Sequence, residues 1–303
     1  MKACVLALGF FDGVHLGHGE LLKRTRQTAD ALGITASAMT FDRSPAALIT
    51  GQSIPLLNTS GERVELMKTL YGMDEVYVLP FDEHTRQQPW EDFAQKVLLE
   101  TYHAVHIVCG DDYRFGSGGR GNAQRLSEFC RQKGLGFDCI GEICLEGQRV
   151  SSTHIRKLLS RGSMEEAVRF LGHPHILTGP VVDGRKVGRT LGIPTANMQP
   201  APEVGLPKNG VYAALARFEG KAFPAVVNIG TRPTFHGSTV TVEPWLLDFD
   251  GDLYGKRLEL EFYAYLREER RFSSPGDLKE EIQKNAESTR AILKSKMQDA
   301  ASR

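Results

Sequence analysis

Residues 3–18, ACVLALGFFDGVHLGH, decide the architecture of the first half of this chain. The apolar run from Ala3 has only Lys2 before it and Asp12 close behind. It is too short to span a bilayer and has no small-residue cleavage site, so Ala3 to Leu8 reads as a buried parallel strand. Gly9, Gly13 and Gly17 follow, and then a run from Gly19 to Leu32 that reads as a helix. A glycine-rich turn from strand into helix is where an α/β sheet binds phosphate. Glycine lets the backbone come close, and the first amides and positive dipole end of the helix face the anion. His15 and His18 add ring N–H donors for charge building on an α-phosphate and on departing pyrophosphate, an electrostatic role that needs no covalent intermediate. Gly9, Phe10, Asp12 and Gly17 are the other expected nucleotide contacts of this turn, with Asp12 capping the turn or orienting a histidine.

Working outward, apolar runs alternate with amphipathic ones. Strands are expected at Thr35 to Thr40, Val76 to Leu79, Val105 to Cys109 and Gly136 to Ile140. Helices are expected at Gly61 to Tyr71, Trp90 to Glu100, Ala123 to Lys133 and Ser152 to Ser160. This is a doubly wound parallel-sheet pattern. From Leu177 the pattern becomes short β-rich runs without helices between them: Leu177 to Val182, Val211 to Phe218, Phe223 to Asn228, Val240 to Phe249 and Leu258 to Tyr265. Such runs imply a small barrel or sandwich. The expected domains are 1–171 and 172–303. An amphipathic stretch from Leu278 to about Met297 closes the chain, with Leu278, Ile282, Ile292 and Leu293 expected on one helical face.

Composition narrows the partners. The 303 residues are 41% apolar and 24% charged, the balance of a globular protein, and 37 basic residues match 37 acidic ones. Neutrality removes the global electrostatic argument for a nucleic-acid or anionic-membrane partner, so any anion site is local. Five cysteines without a CxxC pair argue against a disulfide framework or a zinc site, and they read as mostly buried thiols in a cytoplasmic protein.

Two further segments bear on the first half. VSSTHIR (150–156) places hydroxyls before a helical run. Ser151, Ser152 and Thr153 suit a helix cap, and the free amides with Arg156 suit phosphate oxygens. CGDDYRFGSGGRGN (109–122) follows a strand with acidic, aromatic and glycine-rich chemistry, able to stack a ring on a planar ligand. GFFDGVHLGH, CGDDYRFG and VSSTHIR, in this order, resemble the adenylyltransferase module of prokaryotic bifunctional riboflavin kinase/FAD synthetases. The resemblance implies transfer of AMP from ATP to FMN, with Asp112, Tyr113 and Phe115 at the flavin.

In the second half, GPVVDGRKVGRTLGIPTANM (179–198) combines glycines with Arg185, Lys186 and Arg189. No GxxxxGK[ST] occurs, which disfavours an ordinary P-loop kinase. Gly184, Arg189 and Asn228 are expected ATP contacts, and the Thr195 hydroxyl and Asn197 carbonyl oxygen are hard ligands suited to Mg²⁺. Glu243 is a carboxylate within an apolar strand and is the candidate general base. On strand alternation alone it reads more readily as an outward-facing surface residue. GRTLGIPTAN, NIGTRPTF, VE and DFDGDLYGK are similar to the riboflavin kinase module. That similarity implies a six-stranded barrel with a terminal helix beside the flavin site, magnesium on Thr195 and Asn197, and Glu243 as base. Arg267 and Phe272, in LREERRF, fall in the segment near that site.

Two departures from the family pattern stand out. Pro244-Trp245 follows Glu243 where a strand-compatible residue and often a histidine are expected, and Pro244 can bend the strand. Ser44 replaces a histidine expected before Pro45. The resulting expectation is a bifunctional enzyme that phosphorylates riboflavin to FMN and adenylylates FMN to FAD, with Mg²⁺ in both steps. ATP, riboflavin, FMN and FAD are then substrates or products, and no flavin is a resident redox cofactor. The alternatives are a riboflavin kinase alone, or a flavin-sensing regulator on the same scaffold.

Overall fold

The structure is a computed structural model describing residues 2–183, 194–234, 237–270 and 272–300. The chain forms two compact units, residues 1–152 and 153–303.

In the first unit, β1 (Cys4–Leu8), β2 (Thr35–Phe41), β3 (Glu75–Leu79), β4 (Ala104–Gly110) and β5 (Gly136–Ile140) form one parallel sheet in the order β3-β2-β1-β4-β5. Val5, Leu6 and Ala7 are wholly buried, as befits a central strand covered on both faces. The chain builds outward through β2 and β3, then crosses back to place β4 on the other side of β1. The turns after β1 and β4 therefore flank the topological switch point, the crevice where such sheets take ligands. Helix α1 (Leu16–Leu32) starts three residues before the expected Gly19 because His15 is its N-cap, and it stops at Gly33 in the left-handed region. Further helices are α2 (Pro45–Thr50), α3 (Ser60–Tyr71), which opens with a Thr59/Glu62 capping box, and α4 (Ala123–Lys133). The segment expected as a plain helix from Trp90 turns once as an α-helix and then winds as a π-helix over Phe93–Thr101, burying Phe93, Ala94 and Leu98.

The second unit begins with α5 (Ser152–Arg161), apart from its first residue, and α6 (Met164–Leu171). Then come β6 (His175–Val182), β7 (Asn197–Met198), β8 (Gly210–Phe218), β9 (Lys221–Thr234), β10 (Gly237–Leu246) and β11 (Arg257–Arg267). They close a six-stranded barrel in the order β6-β7-β10-β9-β8-β11, with β6 antiparallel to β11 from His175↔Phe262 to Pro180↔Arg257. α6 was not expected from the sequence. It packs on β6 and β11, which is why the compact unit starts ahead of residue 172.

The closing helix α7 (Pro275–Ala300) lies on β8, β9 and β11. Its buried face runs through Ala286, Thr289 and Leu293, so Ile292, expected on that face, is 40% exposed. All five cysteines are free; Cys4, Cys109 and Cys130 are buried, whereas Cys139 and Cys144 are exposed.

Candidate active sites

The GFFDGVHLGH turn is tied down from several directions. Gly13 takes φ 82°, and Phe11 and Val14 also sit at positive φ (54° and 40°) while fully buried. Holding two bulky residues there costs energy that only well-defined surroundings support. The supports are visible. Thr40 Oγ1 donates to the Phe10 carbonyl at 2.8 Å, and Arg63 Nη1 donates to the same oxygen at 2.9 Å. Asp12 Oδ1 accepts the Leu57 N–H at 2.8 Å, and the Asp12 carbonyl accepts the Ser152 hydroxyl at 2.8 Å. Asp12 thus fixes the turn to the approach to α3, and Ser152 is held beside the turn.

His15 Nδ1 accepts the His18 backbone N–H at 3.3 Å, and the two imidazoles stack with centroids 3.6 Å apart. A Cβ at position 17 would sit 3.2 Å from the His15 ring, so Gly17 gives that ring room. Phe11 meets His18 edge-on at 5.3 Å. Burial, then the neighbouring His15 and the Arg63 charge, hold the His18 imidazole well below its ordinary 6.5. His18 is neutral at physiological pH. Its Nδ1 is buried without a partner while the ring as a whole is half-buried, so Nε2 is the nitrogen that meets solvent.

The flanking segments divide. After β4, Asp112 is exposed and ion-paired to Arg149 at 2.7 Å, which closes this turn against the 144–149 hairpin. Tyr113 stacks on Phe115 at 5.5 Å, and burial raises its hydroxyl well above 10. Phe115, expected at the flavin, is 7% exposed and packs with Phe93 in the core beside Tyr113. Ser44, the departure before Pro45, is the N-cap of α2, its hydroxyl accepting the Ala47 N–H. Thr153 and Arg156 lie on the first turns of α5, among the residues of the second unit.

In the barrel, register assembles the second constellation. Met198 pairs with Val242, and the Ala196 N–H donates to the Pro244 carbonyl at 2.9 Å, which sets Asn197 opposite Glu243. On the next strand Asn228 pairs with Glu243. Cross-strand neighbours share a face, so Asn197, Glu243 and Asn228 form one row over three adjacent strands. Thr195 is two residues before Asn197, just ahead of β7. The Thr241 hydroxyl donates to Glu243 Oε1 at 2.9 Å, and Asn228 Nδ2 donates to Glu269 Oε1 at 3.2 Å. Glu243 is half-buried, between the surface and interior extremes. β10 runs unbroken through Pro244, and the strand beside its missing N–H is only two residues long. Trp245, on the Glu243 face, packs with Val211, Val226 and Ala286 beneath α7.

Beside Thr195 opens a cleft of about 350 Å³ lined by Pro194, Ala196, Pro244, Phe249 and Asp250 to Tyr254. Sequence reading quoted DFDGDLYGK but gave it no role; its position across a folded loop was the missing information. Gly184 and Arg189 lie outside the described residues. Arg267 and Arg270 both ion-pair with Glu281 of α7 (3.2 and 2.6 Å) and stack on Phe272, clamping LREERRF to that helix. Among the described residues no group of three or more His, Cys, Asp or Glu side chains is arranged to hold a metal. Thr195 and Asn197 offer a hydroxyl and an amide oxygen, a set that suits a hard cation already carried by phosphates.

Known proteins match both halves of the chain. A family model described as FAD synthetase matches residues 1–154, and one described as riboflavin kinase matches residues 171–293. Bifunctional riboflavin kinase/FMN adenylyltransferases of Haemophilus influenzae and Escherichia coli K12 are 36% and 34% identical to it. Their alignments cover 97% and 93% of this chain and 96% and 90% of those proteins. A solved structure described as a macrolide-efflux protein from Streptococcus pneumoniae is 28% identical, with TM-score 0.84 over 95% of this chain and 94% of that one. Efflux belongs to that description alone; among the described residues no helix is long and apolar enough to cross a membrane. With two family models in tandem and relatives aligned end to end, the chain belongs to the bifunctional riboflavin kinase/FMN adenylyltransferase family.

Proposed function

We propose a division of labour within this bifunctional enzyme in which residues 172–303 phosphorylate riboflavin and residues 1–171 adenylylate the FMN produced. The observation that carries the kinase assignment is the row Asn197, Glu243 and Asn228. The Glu243 carboxylate accepts the proton of riboflavin's primary hydroxyl as that oxygen attacks the γ-phosphorus of ATP and ADP leaves with the bridging oxygen, and Thr241 helps to set the carboxylate's direction. Thr195 and Asn197 would hold Mg²⁺ together with the phosphates, whose charge the bound ion would neutralise. The cleft walled by Asp250 to Tyr254 receives the nucleotide, with Gly184, Arg189 and Asn228 as further contacts.

At the sheet edge, an FMN phosphate oxygen attacks the α-phosphorus of a second ATP and pyrophosphate leaves. The α1 N-terminus and the His15 and His18 ring N–H groups face the growing negative charge. Gly9, Phe10, Asp12 and Gly17 shape the turn, and Ser151, Ser152, Thr153 and Arg156 bind the outer phosphates. Asp112 and Tyr113 bound the flavin, with Phe115 behind them. Mg²⁺ accompanies this ATP as well. The cytoplasm is the compartment we propose, since both reactions consume ATP and the cysteines are free thiols.

Incubation with riboflavin, ATP and Mg²⁺, with chromatographic separation of FMN from FAD, tests the scheme. His18→Ala makes FMN but no FAD. Glu243→Gln makes neither from riboflavin, yet makes FAD when given FMN. Loss of FMN formation in a folded His18→Ala protein rejects the division.

A further inference from the structure

Arg63 is the largest wholly buried side chain in the described structure, and the mechanism above does not use it. It lies on the first turn of α3, where an arginine ordinarily points to water. Instead Nη1 donates to the Phe10 carbonyl at 2.9 Å and Nη2 to the Phe41 carbonyl at 2.7 Å, and the guanidinium stacks on the Phe10 ring at 4.3 Å. Among the described residues it has no carboxylate within ion-pair distance, and its Nε is buried with no partner there. Burying a guanidinium against carbonyls, with a donor left over, is an expensive way to fill a core. A methionine of similar length would be the cheaper choice for stability alone. Phe10 belongs to the GFFDGVHLGH turn and Phe41 ends β2, so one cation joins two adjacent loops at the carboxyl edge of the sheet.

The charge matters as well as the geometry. The ionisable groups around His18 are His15, stacked on its ring, and Arg63; Asp12, Asp42 and Glu62 surround the guanidinium at longer range. Burial lowers the Arg63 pKa, offset in part by those three carboxylates, but only to about 10, so the cation persists at neutral pH. We propose that Arg63 is the positioning residue of the adenylyl-transfer site, bolting the GFFDGVHLGH turn to the end of β2 and holding a fixed positive charge against that turn. The proposal rests on His18 being the adenylyl-transfer donor. If His18→Ala leaves FAD formation from FMN intact, that reading falls first and independently of Arg63.

Two variants separate position from charge, with riboflavin phosphorylation by the same chain as an internal control. Arg63→Met loses both. FAD formation from FMN falls about tenfold to a hundredfold, the scale of a displaced catalytic group, and the acid limb of kcat/KM moves up. Arg63→Lys keeps the charge but cannot bridge two carbonyls, so kcat falls while the acid limb stays in place. NMR titration of the His18 ring reads the charge effect without reference to turnover, and the ring titrates higher in Arg63→Met than in the parent. Should Arg63→Met fail to fold, the Arg63→Lys profile and titration decide. A His18 titration unchanged by loss of the charge, or Arg63→Lys turning over at the parent rate, overturns the proposal.

Discussion

A histidine kept neutral by its surroundings serves differently from one that titrates near pH 6.5. Protonating His18 puts a proton on the buried Nδ1, which has no acceptor, beside Arg63 and His15. FAD formation from FMN is therefore expected to stay flat from pH 8 down through 6.5, with its acid limb lower, and a pH–rate profile at saturating FMN checks this. In the barrel the comparable detail is the Thr241 hydroxyl on Glu243. Thr241→Val removes one hydrogen bond that directs that carboxylate, and riboflavin phosphorylation is expected to slow about tenfold, while FMN adenylylation is unchanged. Equal loss of both activities would contradict that assignment. At this scale the sequence was legible where chemistry is local: His15, Gly17 and His18 lie within one helical turn. Arg63 was not legible, because what distinguishes it is the Phe41 carbonyl brought to it by the sheet, and no spacing along the chain records that contact.

Elements explain residues that individual chemistry does not. Asn197, Glu243 and Asn228 are far apart in sequence, and only the β7-β10-β9 register makes them neighbours. Alternation within β10 placed Glu243 on the face opposite Val242, but could not say that α7 and the LREERRF turn stand over part of that face. Gly230, in the NIGTRP run of β9, shows the consequence. A Cβ there would fall on the Glu269 carboxylate, the group that accepts from Asn228. Gly230→Ala is expected to push Glu269 away and release the Asn228 amide. The KM for riboflavin or ATP should rise about tenfold, with FAD formation from FMN unaffected. Steady-state kinetics of the two reactions on one preparation test this, and an unchanged kinase KM would show that the Glu269 contact does not matter. The Arg267 and Arg270 pairing with Glu281 belongs to the same scale, since it fastens that turn to a helix the sequence placed correctly but rotated too far toward Ile292.

For the molecule as a whole, acid tests the barrel through a residue that neither reaction uses. His175 on β6 is 1% exposed, its Nε2 has no partner, and its ring lies 6.1 Å from Phe262. Burial, with a smaller contribution from His173, pushes its pKa from 6.5 down to about 3. Below pH 6.5 the unfolded chain takes up a proton that the folded barrel refuses. The stabilising difference is complete above 6.5 and is lost as pH falls toward 3, at about 1.4 kcal/mol per pH unit. Denaturant unfolding of the full chain at pH 7 and pH 5, followed by Trp245 fluorescence, should show that loss. His175→Leu removes the proton acceptor while keeping an apolar side chain in the barrel wall, so its unfolding midpoint should change far less between the two pH values. The kinase activity of His175→Leu should then survive incubation at pH 5 better than that of the parent. If both proteins lose stability in parallel, the acid sensitivity lies in other groups, and His175 is only a packed ring between strands.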